Sequence, residues 1–160
     1  MKVLITGASG FIGRKVLKLL IQKGATVFAL GRGVPAQIHK YGGVHWIVSD
    51  LATGEGLERI PWSQIDTVIH LAATGVKASD RDWAKTLETN VIGTQRLLHA
   101  ISQKGNDPVI FLARTFYEKN IINNPALMEN PYIASKVVSN KLSKFPESFN
   151  FFRNSFTHRI

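Results

Sequence analysis

The chain has 160 residues, 44 % of them hydrophobic and 19 % charged, and its 20 Lys and Arg against 11 Asp and Glu give a formal net charge of +9. That length and balance fit one soluble globular domain over residues 1–160 and exclude a disordered or fibrous chain. The absence of cysteine excludes disulfide staples and thiolate metal sites, and it agrees with a reducing compartment.

Other classes are disfavoured by position rather than by composition. No apolar run approaches the roughly 20 residues that span a bilayer. The Met1-Lys2 start leads straight into a strand-like run without a charged-then-apolar leader, so a cytoplasmic protein with no membrane partner is expected. The histidines at 39, 45, 70, 99 and 158 form no HxxxH or HExxH spacing, and no metal is expected. The basic residues are dispersed among apolar ones, as in "GRKVLKLLIQK", with no basic-aromatic stripe. They read as a solvated surface, with an anionic small molecule as the second reading and no nucleic acid as partner.

In chain order, "KVLIT" (2–6) is a short β-branched, apolar run ending at Gly7 and predicts a buried strand. Ile12, Val16, Leu19 and Leu20 then recur at helical spacing, and Lys23-Gly24 supplies a basic last turn and a stop. "ATVFAL" (25–30) returns to strand character and completes a β-α-β unit. Further strands are predicted over 44–50, 66–73 and 108–113. One long helix is predicted over 80–104, with Trp83, Leu87, Val91, Leu98 and Ile101 as its apolar stripe. A second helix is predicted over about 132–144, ending before Pro146, and "FNFF" (149–152) is a candidate sixth strand. Strands alternating with helices, nearly all apolar, imply an α/β fold: a doubly wound parallel sheet, Rossmann-like, covered on both faces in three layers.

The glycines of "TGASGFIG" stand at the first strand-to-helix junction. Gly7 permits a tight turn, Gly10 admits a pyrophosphate to backbone N–H groups, and Gly13 lets the helix pack closely on the strands. The helix N-terminus adds unpaired N–H groups and partial positive charge. In this strand-helix-strand context the triplet points to dinucleotide binding rather than an ordinary turn.

With that pattern, the chain resembles the extended short-chain dehydrogenase/reductases, the group of nucleotide-sugar epimerases, dehydratases and related reductases. "SDL" at Asp50 and Leu51, "HLAA" (70–73), "TNVIGTQRLL" (89–98) and "YIASK" (132–136) follow in that family's order. The resemblance implies cofactor contacts along Gly7, Ser9, Gly10, Phe11, Ile12 and Gly13, at Asp50 and Leu51, and at Leu71, Ala72 and Ala73. It implies further contacts from Asn90, Tyr132 and Lys136. The implied partner is a small-molecule substrate such as a nucleotide sugar, and a homodimer is in keeping with the resemblance.

An acidic residue closing the second strand would bind the ribose 2′-hydroxyl of NAD. Here the strand ends "ALGRG", no Asp or Glu lies between Gly10 and Asp50, and Arg32 offers a planar fork to a 2′-phosphate. NADP is therefore the expected cofactor, with NAD as the alternative.

Tyr132 and Lys136 lie four apart on a predicted helix and share a face. A phenol titrates near ~10, and a neighbouring ammonium is expected to lower it, giving a proton donor or acceptor beside a hydride transfer. The family's Ser or Thr past the fifth strand is matched by Thr115 alone in "FLARTFYEK", where Arg114 replaces a small residue and Tyr117 is an outside candidate. Asn90 is assigned a relay or positioning role. Family members run to about twice this length, so the C-terminal substrate portion is expected to be absent or truncated. Three functions follow: an NADP-dependent oxidoreductase or nucleotide-sugar epimerase/dehydratase; a non-catalytic dinucleotide module or redox-sensing remnant; and, with least support, a polyanion binder.

Overall fold

Alternation of side chains across a parallel sheet decides which helix each strand residue meets. The computed structural model describes residues 1–36, 42–103 and 107–144. Its strands are β1 (Lys2–Thr6), β2 (Thr26–Gly31), β3 (Val44–Val48), β4 (Thr67–His70) and β5 (Val109–Leu112), in the spatial order β3-β2-β1-β4-β5. All neighbouring pairs are parallel, with Leu4 opposite Phe28 and Val68, and Ile5 opposite Ala29 and Ile69. One face of the sheet carries Leu4, Leu30 and Val68 into a core with Leu97, Leu98 and Ile101 of α3 (Gly93–Gln103). The other carries Ile5, Val27 and Ala29 against Leu17 of α1 (Phe11–Gln22). This is the expected doubly wound, Rossmann-like architecture. The strand order reverses between β1 and β4, the place where open α/β sheets leave a crevice at their carboxyl ends.

Helix α1 is apolar at so many positions that spacing alone gives its buried face only in part: Val16 and Leu20 pack against the core as expected. Ile12 and Leu19, expected in the core, are 60 % and 55 % exposed, whereas Leu17 is 2 % exposed. The choice is made at Gly13. A Cβ there would overlap the Gly7 carbonyl oxygen, so the face bearing Gly13 and Leu17 is the one that approaches β1.

The predicted helix over 80–104 is interrupted. A short 3-10 turn covers Ala78–Asp80, and α2 (Trp83–Leu87) begins only after Asp82, whose side chain accepts from Lys85 N at 2.7 Å. Asp82 is thus the N-cap that the sequence reading overlooked. A π-helical turn, Glu88–Ile92, then joins α2 to α3. Val91, Leu98 and Ile101 are buried as expected, but Trp83 and Leu87 face solvent. Helix α4 (Pro131–Leu142) begins one residue early at a proline, with Asn130 as its cap. On β5 both faces are partly uncovered, with Val109 and Phe111 each 58 % exposed on one face and Ile110 37 % exposed on the other, against the expectation of full cover. The candidate sixth strand at 149–152 lies outside the described residues. Among the described residues no helix is long and apolar enough to cross a membrane.

Gly13 and Gly24 separate close approach from backbone conformation. Gly24 has φ +71 with nothing near a Cβ, so Gly24→Ala should cost about 1–2 kcal/mol. Gly13→Ala forces backbone from backbone and should cost about 3 kcal/mol or more. Urea unfolding of both variants checks this; equal losses would contradict the packing role of Gly13.

Candidate functional site

The carboxyl ends of four strands converge on a cavity of about 400 Å³. Gly7 turns the chain from β1 with φ +70, and a Cβ there would lie 2.7 Å from Ala72 N, so only glycine permits both the turn and the approach to the end of β4. Ser9 and Gly10 continue the wall, Gly10 N donating to Gly7 O at 3.0 Å. A Cβ on Gly10 would meet only that same carbonyl, at 3.2 Å, so the volume above Gly10 belongs to the cavity. No side chain caps α1 at Gly10, which leaves first-turn amides for an anion.

Of the residues expected at the cofactor, Gly7, Ser9, Gly10, Arg32, Asp50, Leu51, Leu71, Ala72 and Ala73 line this cavity. The side chains of Phe11 and Ile12 point to solvent and Gly13 is packed under Gly7, which leaves these three only the first-turn amides of α1 to offer an occupant. The sequence reading missed Thr6, Ser49, Thr74, Lys85 and Thr89, which also line it. Ser49 and Thr74 follow strand ends, and the rule that ligands sit at carboxyl ends would have found both. The Asp50 loop is tied down by Arg96, which donates to the Ala52 carbonyl and pairs with Glu88 at 2.6 Å. At the tip of β2, a Cβ on Gly31 would lie 2.5 Å from the Trp46 ring. The indole fills the space an acidic side chain would need.

Asn90, Tyr132, Lys136 and Thr115 stand outside the cavity lining, Asn90 and Tyr132 beside its Thr74 end. Asn90, 2 % exposed, accepts from Thr74 N at 2.9 Å and donates through Nδ2 to Thr74 O (3.0 Å) and Ser135 Oγ (2.9 Å). Its side-chain amide is fully used in bolting the loop after β4 to α4. Ser135 sits between Tyr132 and Lys136 and donates to Tyr132 O at 2.8 Å, and a Cβ on Gly75 would lie 3.6 Å from Tyr132 Cβ.

An unexpected carboxylate shapes this end. Glu118, its side chain only 6 % exposed, accepts from Arg114 Nε (2.8 Å) and NH2 (2.5 Å) and from Asn140 Nδ2 (3.0 Å). It also accepts from Thr115 N at 3.3 Å. Arg114 is thereby drawn to Glu118, and Thr115 becomes the residue that opens the following 3-10 turn. The Tyr132 phenol is raised above its ordinary value, first by burial and then by Glu118. This differs from the expected lowering by Lys136, because burial and a carboxylate both oppose the phenolate. The Lys136 ammonium is itself lowered by burial, which outweighs the opposing pull of Glu118.

His70, at the end of β4 and 2 % exposed, is pushed down to about 3 by burial and then by the Lys136 charge. Unfolding restores a value near 6.5. Between these values the unfolded chain holds more protons, so acidification favours unfolding. Stability should therefore fall below pH about 6.5 by about 1.4 kcal/mol per pH unit from this group. Urea unfolding between pH about 6.5 and about 5, with His70→Gln as control, checks the slope; equal slopes in both proteins would contradict the buried neutral imidazole.

The sequence profile of the NAD dependent epimerase/dehydratase family matches residues 3–146. A 3-beta-hydroxysteroid dehydrogenase of Mycolicibacterium neoaurum is 30 % identical over 117 residues, covering 70 % of this chain and 31 % of that one. The UDP-glucose 4-epimerase of Thermus thermophilus, solved in complex with NAD, is 28 % identical with a TM-score of 0.69, covering 94 % of this chain and 52 % of that one. The yeast methylglyoxal/isovaleraldehyde reductase complexed with NADPH shares the fold, with a TM-score of 0.73 at 18 % identity over 97 % of this chain and 54 % of that one. This chain thus spans from about a third to about half the length of these relatives. With its glycine turn, strand-end cavity and ordered motifs all inside the matched range, the chain belongs to the NAD dependent epimerase/dehydratase family.

Proposed function

We propose that this chain is the dinucleotide-binding part of an NADP-dependent oxidoreductase or epimerase/dehydratase acting on a nucleotide sugar or a similar carbonyl or hydroxyl compound. The observation that carries the reading is the cavity at Gly7–Gly10, whose amides and side-chain-free wall fit a pyrophosphate. Asp50 and Leu51 line the end suited to the adenine, and Leu71, Ala72 and Ala73 line the path toward Tyr132. Arg32 is exposed at the cavity mouth, and among the described residues no carboxylate pairs with it. It is available to a 2′-phosphate, and Trp46 beneath Gly31 keeps an acidic residue from taking the opposite role.

A nicotinamide dinucleotide supplies hydride donation or acceptance when bound. Tyr132 exchanges a proton with the substrate oxygen on the same carbon centre. A raised phenol is protonated at neutral pH, which suits Tyr132 to donating a proton to a carbonyl that is being reduced. Lys136 lies one helical turn away on α4, and Asn90 holds that helix in place through Ser135. Thr115 is the hydroxyl nearest in sequence to the role of the family's Ser or Thr.

Fluorescence titration tests the reading. NADPH should bind more tightly than NADH, and Arg32→Ser should weaken NADPH by about 10- to 100-fold while leaving NADH nearly unchanged, the value of one charge-assisted pair. Equal affinities in the parent chain would remove Arg32 from the account. In single turnover with keto forms of nucleotide sugars, Tyr132→Phe should abolish any loss of nicotinamide absorbance without weakening the cofactor; an undiminished rate would eliminate Tyr132.

A further inference from the structure

A line of hydrogen bonds runs through the buried interior from the cavity wall to the π-helical turn. Ala72 N donates to Thr6 Oγ1 at 3.1 Å, and Thr6 Oγ1 lies 2.6 Å from His70 Nδ1. His70 Nε2 lies 2.9 Å from Thr94 Oγ1, which donates to Asn90 O at 2.7 Å. Thr6, His70, Asn90 and Thr94 are each no more than 2 % exposed, so water cannot substitute for any member.

Counting protons fixes the direction. Thr94 has one hydroxyl proton and gives it to Asn90 O, so it accepts from His70 Nε2–H. His70 Nδ1 is then an acceptor and takes the proton of Thr6, whose oxygen receives Ala72 N–H. The opposite tautomer would set the Nε2 lone pair against Thr94 Oγ1, or break the Asn90 bond to free that proton. It would also leave the Thr6 hydroxyl without its acceptor. An imidazolium would cost the same Thr6 bond and lie near the Lys136 charge.

We propose that Thr6, His70 and Thr94 form a one-directional hydrogen-bond relay that holds His70 as the Nε2–H tautomer and positions the Asn90 turn relative to the cavity wall at Ala72. The two ends give it that function. Ala72 and Thr6 line the cavity, while Asn90 grips Thr74 and Ser135, the latter between Tyr132 and Lys136. A displacement of Ala72 by an occupant of the cavity passes through groups that each have one arrangement satisfying every proton. His70 is a positioning residue here, as is Thr94, which does not line the cavity.

The affinity arm of the test rests on the dinucleotide reading above; the tautomer arm does not. Nitrogen-15 NMR of the histidine side chains in the full chain, assigned against His70→Gln, should show His70 as the Nε2–H form at neutral pH. Thr94→Val removes the hydroxyl while keeping the shape; it should mix the two tautomers and weaken NADPH binding about tenfold, a coupling of ordinary size. Thr94→Ser should restore the single tautomer and bring affinity back to within about twofold of the parent. An Nδ1–H or mixed His70 in the parent chain overturns the relay whether or not any variant folds. A Thr94→Val protein that binds NADPH like the parent, or is not rescued by Ser, overturns the positioning role. Failure of the parent to bind either NADPH or NADH would refute the dinucleotide reading and leave the tautomer result to decide the relay.

Discussion

The close passage of backbone at Gly7 and Gly13 is the constraint on which the rest depends. Gly7 lies against the Ala72 amide and Gly13 under the Gly7 carbonyl, with no room for a Cβ at either. This brings the start of α1, the end of β1 and the end of β4 within one short span. The cavity wall, the uncapped helix N-terminus and the burial of Leu17 all follow from it. A bulkier residue at either glycine would push α1 outward, and the amides would no longer face the crevice.

The second organising feature is polar rather than apolar. Where β4, the Glu88–Ile92 turn, α3 and α4 meet, the structure buries His70, Thr94, Asn90, Ser135 and Lys136, groups that are costly without partners. Asn90 spends its whole amide on Thr74 and Ser135, and His70 is satisfied at both ring nitrogens. The result is a specified geometry for the Tyr132 helix rather than a merely compact one. Glu118 adds a charge that works against a phenolate. With Arg114 and Asn140 it also fastens the segment after β5 to α4. The site is thus electrostatically biased toward a protonated tyrosine.

Much of this was legible in the sequence where local pattern and tertiary demand coincide. β1, β2 and β4 are short apolar runs bounded by glycine or polar turns; Gly7 and Gly10 fall where a β-α-β glycine motif puts them, and Asp50 and Ala72 where the family resemblance does. The buried face of α1 was legible only in part: Val16 and Leu20 pack with Leu17, whereas Ile12 and Leu19 of the same apolar stripe are exposed. The contact at Gly13 sets the rotation of the helix, bringing its Gly13–Leu17 side toward β1. The π-helical turn at Asn90 is equally silent in the sequence, since its bonds to Thr74 and Ser135 join segments 16 and 45 residues away. Glu118 sits in an ordinary turn by sequence, and its influence on Tyr132 and Lys136 arises only when α4 packs beside it.

The central claim is that a dinucleotide lies across the carboxyl ends of β1, β2, β3 and β4. Amide chemical-shift mapping of the nitrogen-15-labelled chain during titration with NADP tests it most directly. The largest shifts should fall at Gly7–Gly10, at Arg32, along Ser49–Ala52 and along Leu71–Thr74, with the exposed surface of α1 unmoved. Shifts confined to the outer faces of the helices, or none at saturating NADP, would contradict it.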